Sequence, residues 1–465
     1  MMRRRLWPRL PVLAVCLLEG ACLVGPNHVK PALPVPETFR GASVAGPAAL
    51  ADARWWDVFA DEQLQALVRT ATTGNYDVRI AAARIEQAEA QVGITRSNQY
   101  PSVGLDVQAG GQRTPALGTS EARTAAAVLV RGRAAWELDF WGRYRRGTEA
   151  ARARLLATEW GQRAVMSTLV SRVADGYFTL RALDLELDIA RRTLASRRES
   201  LDLARIREQG GATSLVDVRQ AEQLVYSAAG TIAEFERRVE QQENFLSVLL
   251  GGFPGPVARG RELTAQPHAP EVPAGLPSAL LERRPDIQAA EQEIIAANAE
   301  IGVARAAYFP SITLTGMGGL QSTALGALFS GGAVGWTAAA GLAQPLFTGG
   351  RTRSQVAFAE AARTEATLAY ERTVKQAFLE VSDALVGYRK AQEFRAQQEL
   401  LVDAAQDGRR LADIRYRGGA TSYLEVLDAE TRLFNAELSL ADARLSELAD
   451  FVELYRALGG GWEKQ

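Results

Sequence analysis

The sequence predicts a mainly α-helical, internally duplicated chain that also carries four β-strands of membrane-crossing length. Three observations lead there. The segment "LARIREQGGATSLVDVRQAE" (203–222) recurs as "LADIRYRGGATSYLEVLDAE" (411–430), 208 positions later, which marks a repeat. Each copy contains two runs of about ten residues in which apolar and polar side chains alternate. Each copy then enters a helical stretch far longer than a compact domain requires.

The duplication reaches well beyond the shared turn. "NYDVRIAAARIEQAEAQVGITRSNQYPS" (75–102) aligns with "RPDIQAAEQEIIAANAEIGVARAAYFPS" (284–311), placing Asp77 on Asp286, Gly93 on Gly302 and Pro101 on Pro310. The first copy is read as 62–250 and the second as 279–458. Between them 251–278 is rich in Gly and Pro and reads as a connecting segment;. Residues 459–465 form a C-terminal tail.

Within each copy the period changes twice. Residues 62–96 carry a helical pattern, followed by strands over 101–110 and 126–140. The second copy places strands over 310–320 and 335–347. In 126–140, Val128, Val130, Ala134, Trp136 and Leu138 share one parity while Arg131, Arg133, Glu137 and Asp139 share the other. One apolar and one polar face over this length is what a tilted strand crossing a bilayer shows.

The helical period then returns from Arg143 to Gln209, a run of 67 residues without Pro, and again from Thr352 to Arg417. At 1.5 Å per residue the first run spans roughly 100 Å, so an extended rod or tube is implied. Met166, Val170, Val173, Tyr177 and Leu180 step by four and three, as do Val374, Phe378, Val381, Leu385 and Tyr388. That is the 3.5-residue spacing of coiled-coil packing.

Gly210–Gly211 and Gly418–Gly419 end the long helices, where a left-handed residue is needed;. Ser214 with Asp217, and Ser422 with Glu425, have the spacing of capping boxes for the returning helices;. Arg205, Arg207, Arg415 and Arg417 put positive charge on the last turns, where it complements the helix dipole;. The repeated motif is therefore a helix–turn–helix tip, at 210–214 and 418–422.

Four strands cannot close a transmembrane barrel, and open sheet edges are not tolerated in lipid. Several copies must combine. Two chains would give eight strands with little lumen, and three give twelve, so a homotrimer is expected.

The N-terminus reads as a secretory signal over 1–21, with Arg3 to Arg5 preceding a short apolar stretch;. Gly20-Ala21-Cys22 has the layout of a lipobox end, which makes Cys22 the lipidation candidate. An extended wrap is expected over 22–61. A net charge of −1 offers no basic face to nucleic acid;. Two His, two Cys and no HExxH, CxxC or GxGxxG motif argue against an enzyme, a metal site or any cofactor beyond covalent lipid on Cys22;.

"GLPSALLERRPDIQAAEQEIIAANAEIGVARAAYFPSITLTG" (275–316) closely resembles the signature of TolC-type outer-membrane efflux proteins, specifically the OprM/NodT lipoprotein branch. "CLVGPNHVKP" (22–31), "WWDVFADEQLQALV" (55–68) and "RYRGGATSYLEVLDAE" (415–430) resemble further blocks of it. The resemblance implies a homotrimeric exit duct, with a β-barrel in the outer membrane and an α-helical barrel in the periplasm. Its partners would be a periplasmic adaptor protein, an inner-membrane pump of the RND or a similar type, and outer-membrane lipid. The implied role is efflux of small molecules such as drugs, hence multidrug resistance; a duct for type I protein secretion and a structural coiled-coil envelope protein are the alternatives. By the same likeness Glu425 and Asp428, with Asp217 at the equivalent tip, line the periplasmic aperture. Gly210, Gly211, Thr213, Arg415, Arg417, Gly418, Gly419 and Thr421 become candidates for tip and adaptor contact. A capping role for Glu425 and a purely dipolar role for Arg415 and Arg417 remain the competing readings. Phe140, Trp141 and Trp336 fit either an aromatic belt at the membrane boundary or packing at the strand–helix junction;.

Overall fold

A computed structural model describes residues 23–40, 50–115, 123–266 and 277–462. The signal-like segment 1–21 and the lipidation candidate Cys22 lie outside the described residues. The elements run α1 (Trp55–Val58), α2 (Glu62–Gly74), α3 (Tyr76–Ser97), β1 (Ser102–Thr114), β2 (Arg123–Leu138), α4 (Arg143–Gln209) and α5 (Leu215–Leu249). The second series is α6 (Pro277–Arg283), α7 (Pro285–Ala306), β3 (Ser311–Ser322), β4 (Val334–Ala343), α8 (Arg351–Arg417) and α9 (Tyr423–Ala457). Helices α4 and α8 have 67 residues each, and α5 and α9 have 35 each. The two copies thus match element by element.

The helix expected over 62–96 is broken. Asn75 adopts an extended backbone between α2 and α3. Its Oδ1 accepts from the amides of Asp77 at 2.8 Å and Val78 at 3.3 Å, starting α3 anew. Its Nδ2 donates to the carbonyl of Leu249, the last residue of α5, at 2.9 Å. The second copy uses different chemistry for the same junction. Arg284, between α6 and α7, donates to the carbonyl of Ala457 at the end of α9 at 3.1 Å and binds Asp286 and Glu380 at 2.7 and 2.9 Å. A side chain from the break satisfies a helix-end carbonyl that would otherwise stay unpaired.

The chain forms two compact units. The first gathers the residues up to Ala32, Ile85–Thr158 and Ala290–Tyr370, and holds the sheet. Its strands are antiparallel in the order β1-β2-β3-β4. Strand β2 begins earlier than the alternating pattern indicated, and β4 ends at Ala343 rather than near 347. The reason at β4 is Pro345, which has no amide hydrogen for the ladder;. Trp141 stacks on Phe309 with ring centroids 4.7 Å apart and donates to the Pro310 carbonyl at 2.7 Å, so it packs at the strand–helix junction. Trp336 stands 80% exposed on the sheet. The extended segment after Leu23 is fastened to this unit. The Val24 amide donates to the Trp141 carbonyl at 3.2 Å, Asn298 donates to the Pro26 carbonyl at 2.8 Å, and Lys30 pairs with Glu291 at 2.7 Å.

The second unit comprises Leu33–Arg84, Glu159–Ala289 and Glu371–Gln465. The 3.5-spaced stripe is its core: Met166, Val170, Val173, Tyr177 and Leu180 are all buried, as are Val374, Val381, Leu385 and Tyr388. Buried Asp61 caps α2 by accepting from the amides of Gln63 and Leu64. It also accepts from Tyr177, Arg261 and Gln266, at 2.9, 3.0 and 2.9 Å. Burial alone would raise the Asp61 pKa; the hydrogen bonds from Gln266, Tyr177, Leu64 and Arg261 outweigh it and hold the carboxylate lower;.

Candidate functional site

Both tips lie in the second unit. Each long helix ends in the same pair of hydrogen bonds. In the first tip the Gly211 amide donates to the Glu208 carbonyl at 2.9 Å and the Ala212 amide to the Arg207 carbonyl at 2.8 Å. In the second, Gly419 donates to Tyr416 at 3.0 Å and Ala420 to Arg415 at 2.8 Å. This is the Schellman arrangement, which requires a left-handed residue just past the helix. Only the second glycine of each pair supplies it, with φ of +70° at Gly211 and +75° at Gly419. Gly210 and Gly418 continue the helical hydrogen bonding, donating to Ile206 and Ile414.

The returning helices start differently. Ser214 caps α5 with a complete capping box: its hydroxyl accepts from the Asp217 amide, and Asp217 accepts from the Ser214 amide at 3.2 Å. The Thr213 hydroxyl donates to the same carboxylate. That bond, opposed by partial burial and supported by Ser214, holds the Asp217 pKa below the ordinary carboxylate value. At α9 the expected box is absent, because the Ser422 side chain makes no cap bond. Glutamate is one methylene longer than aspartate, and Glu425 accepts instead from the Thr421 hydroxyl and faces the Arg415 guanidinium at 3.5 Å. The capping reading of Glu425 is therefore wrong, and the Arg415 pairing goes beyond a dipolar role.

Arg417 does not join this cluster; it turns back to Asp413 on its own helix at 2.9 Å. Asp428 is exposed and pairs with Arg432 at 2.8 Å, a surface contact of little energetic weight;. Three residues that sequence reasoning gave smaller parts, or none, hold the two tips side by side. Arg207 donates to the carbonyls of Tyr416 and Arg417 at 3.4 Å each, and its guanidinium lies 4.4 Å from the centroid of the Tyr416 ring;. Tyr416 packs on Tyr423, with ring centroids 5.2 Å apart. Both tyrosines are buried with Val218, Ala221, Val426 and Leu427 from the two returning helices. Below them Glu430 is buried and accepts from the Ser200 hydroxyl at 3.0 Å. Burial raises its pKa against the Ser200 hydroxyl, Arg409 and Arg197.

The tips thus present half-exposed and exposed carboxylates on helix faces, and the hydroxyls held against Asp217 and Glu425 belong to the turns and caps that start the returning helices. They can attract cations and dock a partner, and offer no arrangement for bond-breaking.

Comparisons with known proteins agree with this inventory. The family described as outer membrane efflux protein matches residues 67–252 and 276–460, one stretch on each copy. The probable efflux pump outer membrane protein TtgC of Pseudomonas putida is 38% identical over 465 residues, covering 98% of this chain and 96% of its own. Among solved structures, the outer-membrane channel OprN superposes with a TM-score of 0.88 at 29% identity, covering 95% of this chain and all of that one (100%). The open-state MtrE outer membrane channel of Neisseria gonorrhoeae gives a TM-score of 0.87 at 33% identity, covering 95% and 99%. Matched along nearly its whole length in sequence and fold, the chain belongs to the outer membrane efflux protein family.

Proposed function

We propose that this protein is the outer-membrane exit duct of a tripartite efflux assembly, through which small molecules delivered by an inner-membrane pump and a periplasmic adaptor leave the cell. The observation that carries the reading is the sheet. Its four strands have one apolar and one polar face, and β1 and β4 are left as open edges. Such edges are not tolerated in lipid, so three copies pair β4 of one with β1 of the next and close a twelve-stranded barrel. The helical hairpins extend the duct into the periplasm, and Asp428 with Glu425 rings its aperture. Small-molecule cargo is supported by two similar P. putida proteins, whose names describe a toluene and a solvent efflux pump. Lipid on Cys22 anchors the assembly. Support comes from the next residue, Leu23, which packs against Gly142 beside Trp141 at the base of the sheet.

Single-channel recording in planar bilayers tests the duct. Discrete conductance steps are expected, and Asp428→Asn raises their size or lowers cation preference. A reconstituted protein without steps overturns the reading.

A further inference from the structure

The strand register sorts the sheet into two chemical faces. Val103, Leu105 and Val107 on β1 share a face with Val128, Val130 and Trp136 on β2, Ile312 and Leu314 on β3, and Trp336 and Leu342 on β4. The opposite face carries Asp106, Gln108, Arg131, Arg133, Glu137, Thr313, Thr315 and Thr337. In a barrel the apolar face meets lipid and the polar face lines the lumen.

The charges on that polar face do not cancel. Arg133 pairs with Asp106 at 3.4 Å, and Glu137 accepts from Tyr144 at 2.8 Å and faces Arg143 at 3.8 Å. Strands β3 and β4 contain no charged residue. Arg131 is left over: among the described residues it forms no ion pair, and its Nε is buried without a hydrogen-bond partner. Its register partners are Asp106 on β1 and Gly319 on β3, and Gly319 is in turn opposite Gly335 on β4. The glycines leave the level beside Arg131 free of side chains. A β-carbon at Gly319 would overlap the Val130 carbonyl and the Arg131 backbone, so this gap is fixed by the approach of the strands. Arg131 lies seven residues from Leu138 at the base of β2 and eight from Arg123 at its other end, about 24 Å along the strand and within the apolar band. Charge there is bordered by a low-dielectric wall, which focuses its field into the lumen.

We infer that Arg131 forms, in the assembled barrel, a ring of three guanidinium groups that binds polyvalent oxyanions such as phosphate or carboxylate clusters in the outer half of the duct. The inference rests on the channel reading above. Planar guanidinium forks suit oxyanions, and threefold symmetry sums their charge. The duct would then meet its cargo with carboxylates at the tip and cations in the barrel.

Inorganic tripolyphosphate, added to the loop side of channels in planar bilayers, tests it. Wild-type current is interrupted, and the interruptions weaken as salt rises. Arg131→Gln raises the half-blocking concentration about tenfold, and Arg131→Lys largely retains the block. Asp106→Asn, which frees Arg133, lowers that concentration. Steady wild-type current under tripolyphosphate, or block unchanged in Arg131→Gln, overturns the anion site while leaving the duct standing. Absence of any wild-type conductance refutes the duct itself.

Discussion

Asp217 and Glu425 occupy the same place on the two tips, and each accepts from the threonine hydroxyl four residues before it, yet only Asp217 also closes its helix cap. The difference of one methylene turns one carboxylate inward to the backbone and sends the other to Arg415. The first tip is therefore locked by its cap, and the second is held by a longer contact between half-exposed side chains.

Unequal caps give unequal costs. Ser214→Ala is expected to destabilise the start of α5 by about 1 kcal/mol, and Ser422→Ala to change α9 by much less. Hydrogen exchange of the amides at 215–218 and 423–426 reads the two separately. Equal acceleration in both variants contradicts the asymmetry.

The glycines separate in the same way. Gly211→Ala and Gly419→Ala force a side chain into the left-handed region at about 1–2 kcal/mol, whereas Gly210→Ala and Gly418→Ala are tolerated because those residues remain helical. Protease nicking at the tips should rise for the first pair alone.

Arg207 joins the first tip to the second through two carbonyls and an aromatic face. Arg207→Ala is expected to let the hairpins part and to increase single-channel conductance more than Arg417→Ala, whose partner Asp413 lies on its own helix. A larger effect at Arg417 would displace Arg207 from this role.

One half-buried acid, Asp175, couples stability to pH. Burial, with Glu453 adding to it, Arg456 opposing it and Asp450 adding again, pushes the Asp175 pKa up to about 7 from 3.8. The folded chain thus holds a proton that the unfolded chain releases near pH 4. Its contribution to stability is complete below that pH and is lost as pH rises through about 7. Thermal unfolding at pH 5 and pH 8 should differ in the wild type, and Asp175→Asn should narrow the gap by removing the loss on the alkaline side. An unchanged gap contradicts the assignment.

Much of this was legible in the sequence. The bounds of α4 stand out because no proline interrupts them and glycines follow the end. The four strands show in their alternation, and the tip in its repetition. What stayed hidden depends on partners distant in sequence. Asn75 breaks a helix that local propensity would continue, and the break is stabilised by a carbonyl 174 residues away. Arg207 looks like a dipole complement until the second tip lies beside it. Ser422 has the spacing of a cap, but the preference of Glu425 for Thr421 and Arg415 is set by side-chain reach. Arg131 was visible only as one polar residue among several, because what sets it apart is that Asp106, its register partner, pairs with Arg133 instead.

The central claim is that four strands per chain are too few to seal a barrel, so the chain works only in company. Native mass spectrometry of the detergent-solubilised protein tests this most directly. Three chains per particle, supplying twelve strands, is the expected result, and a stable particle containing a single chain would contradict the account.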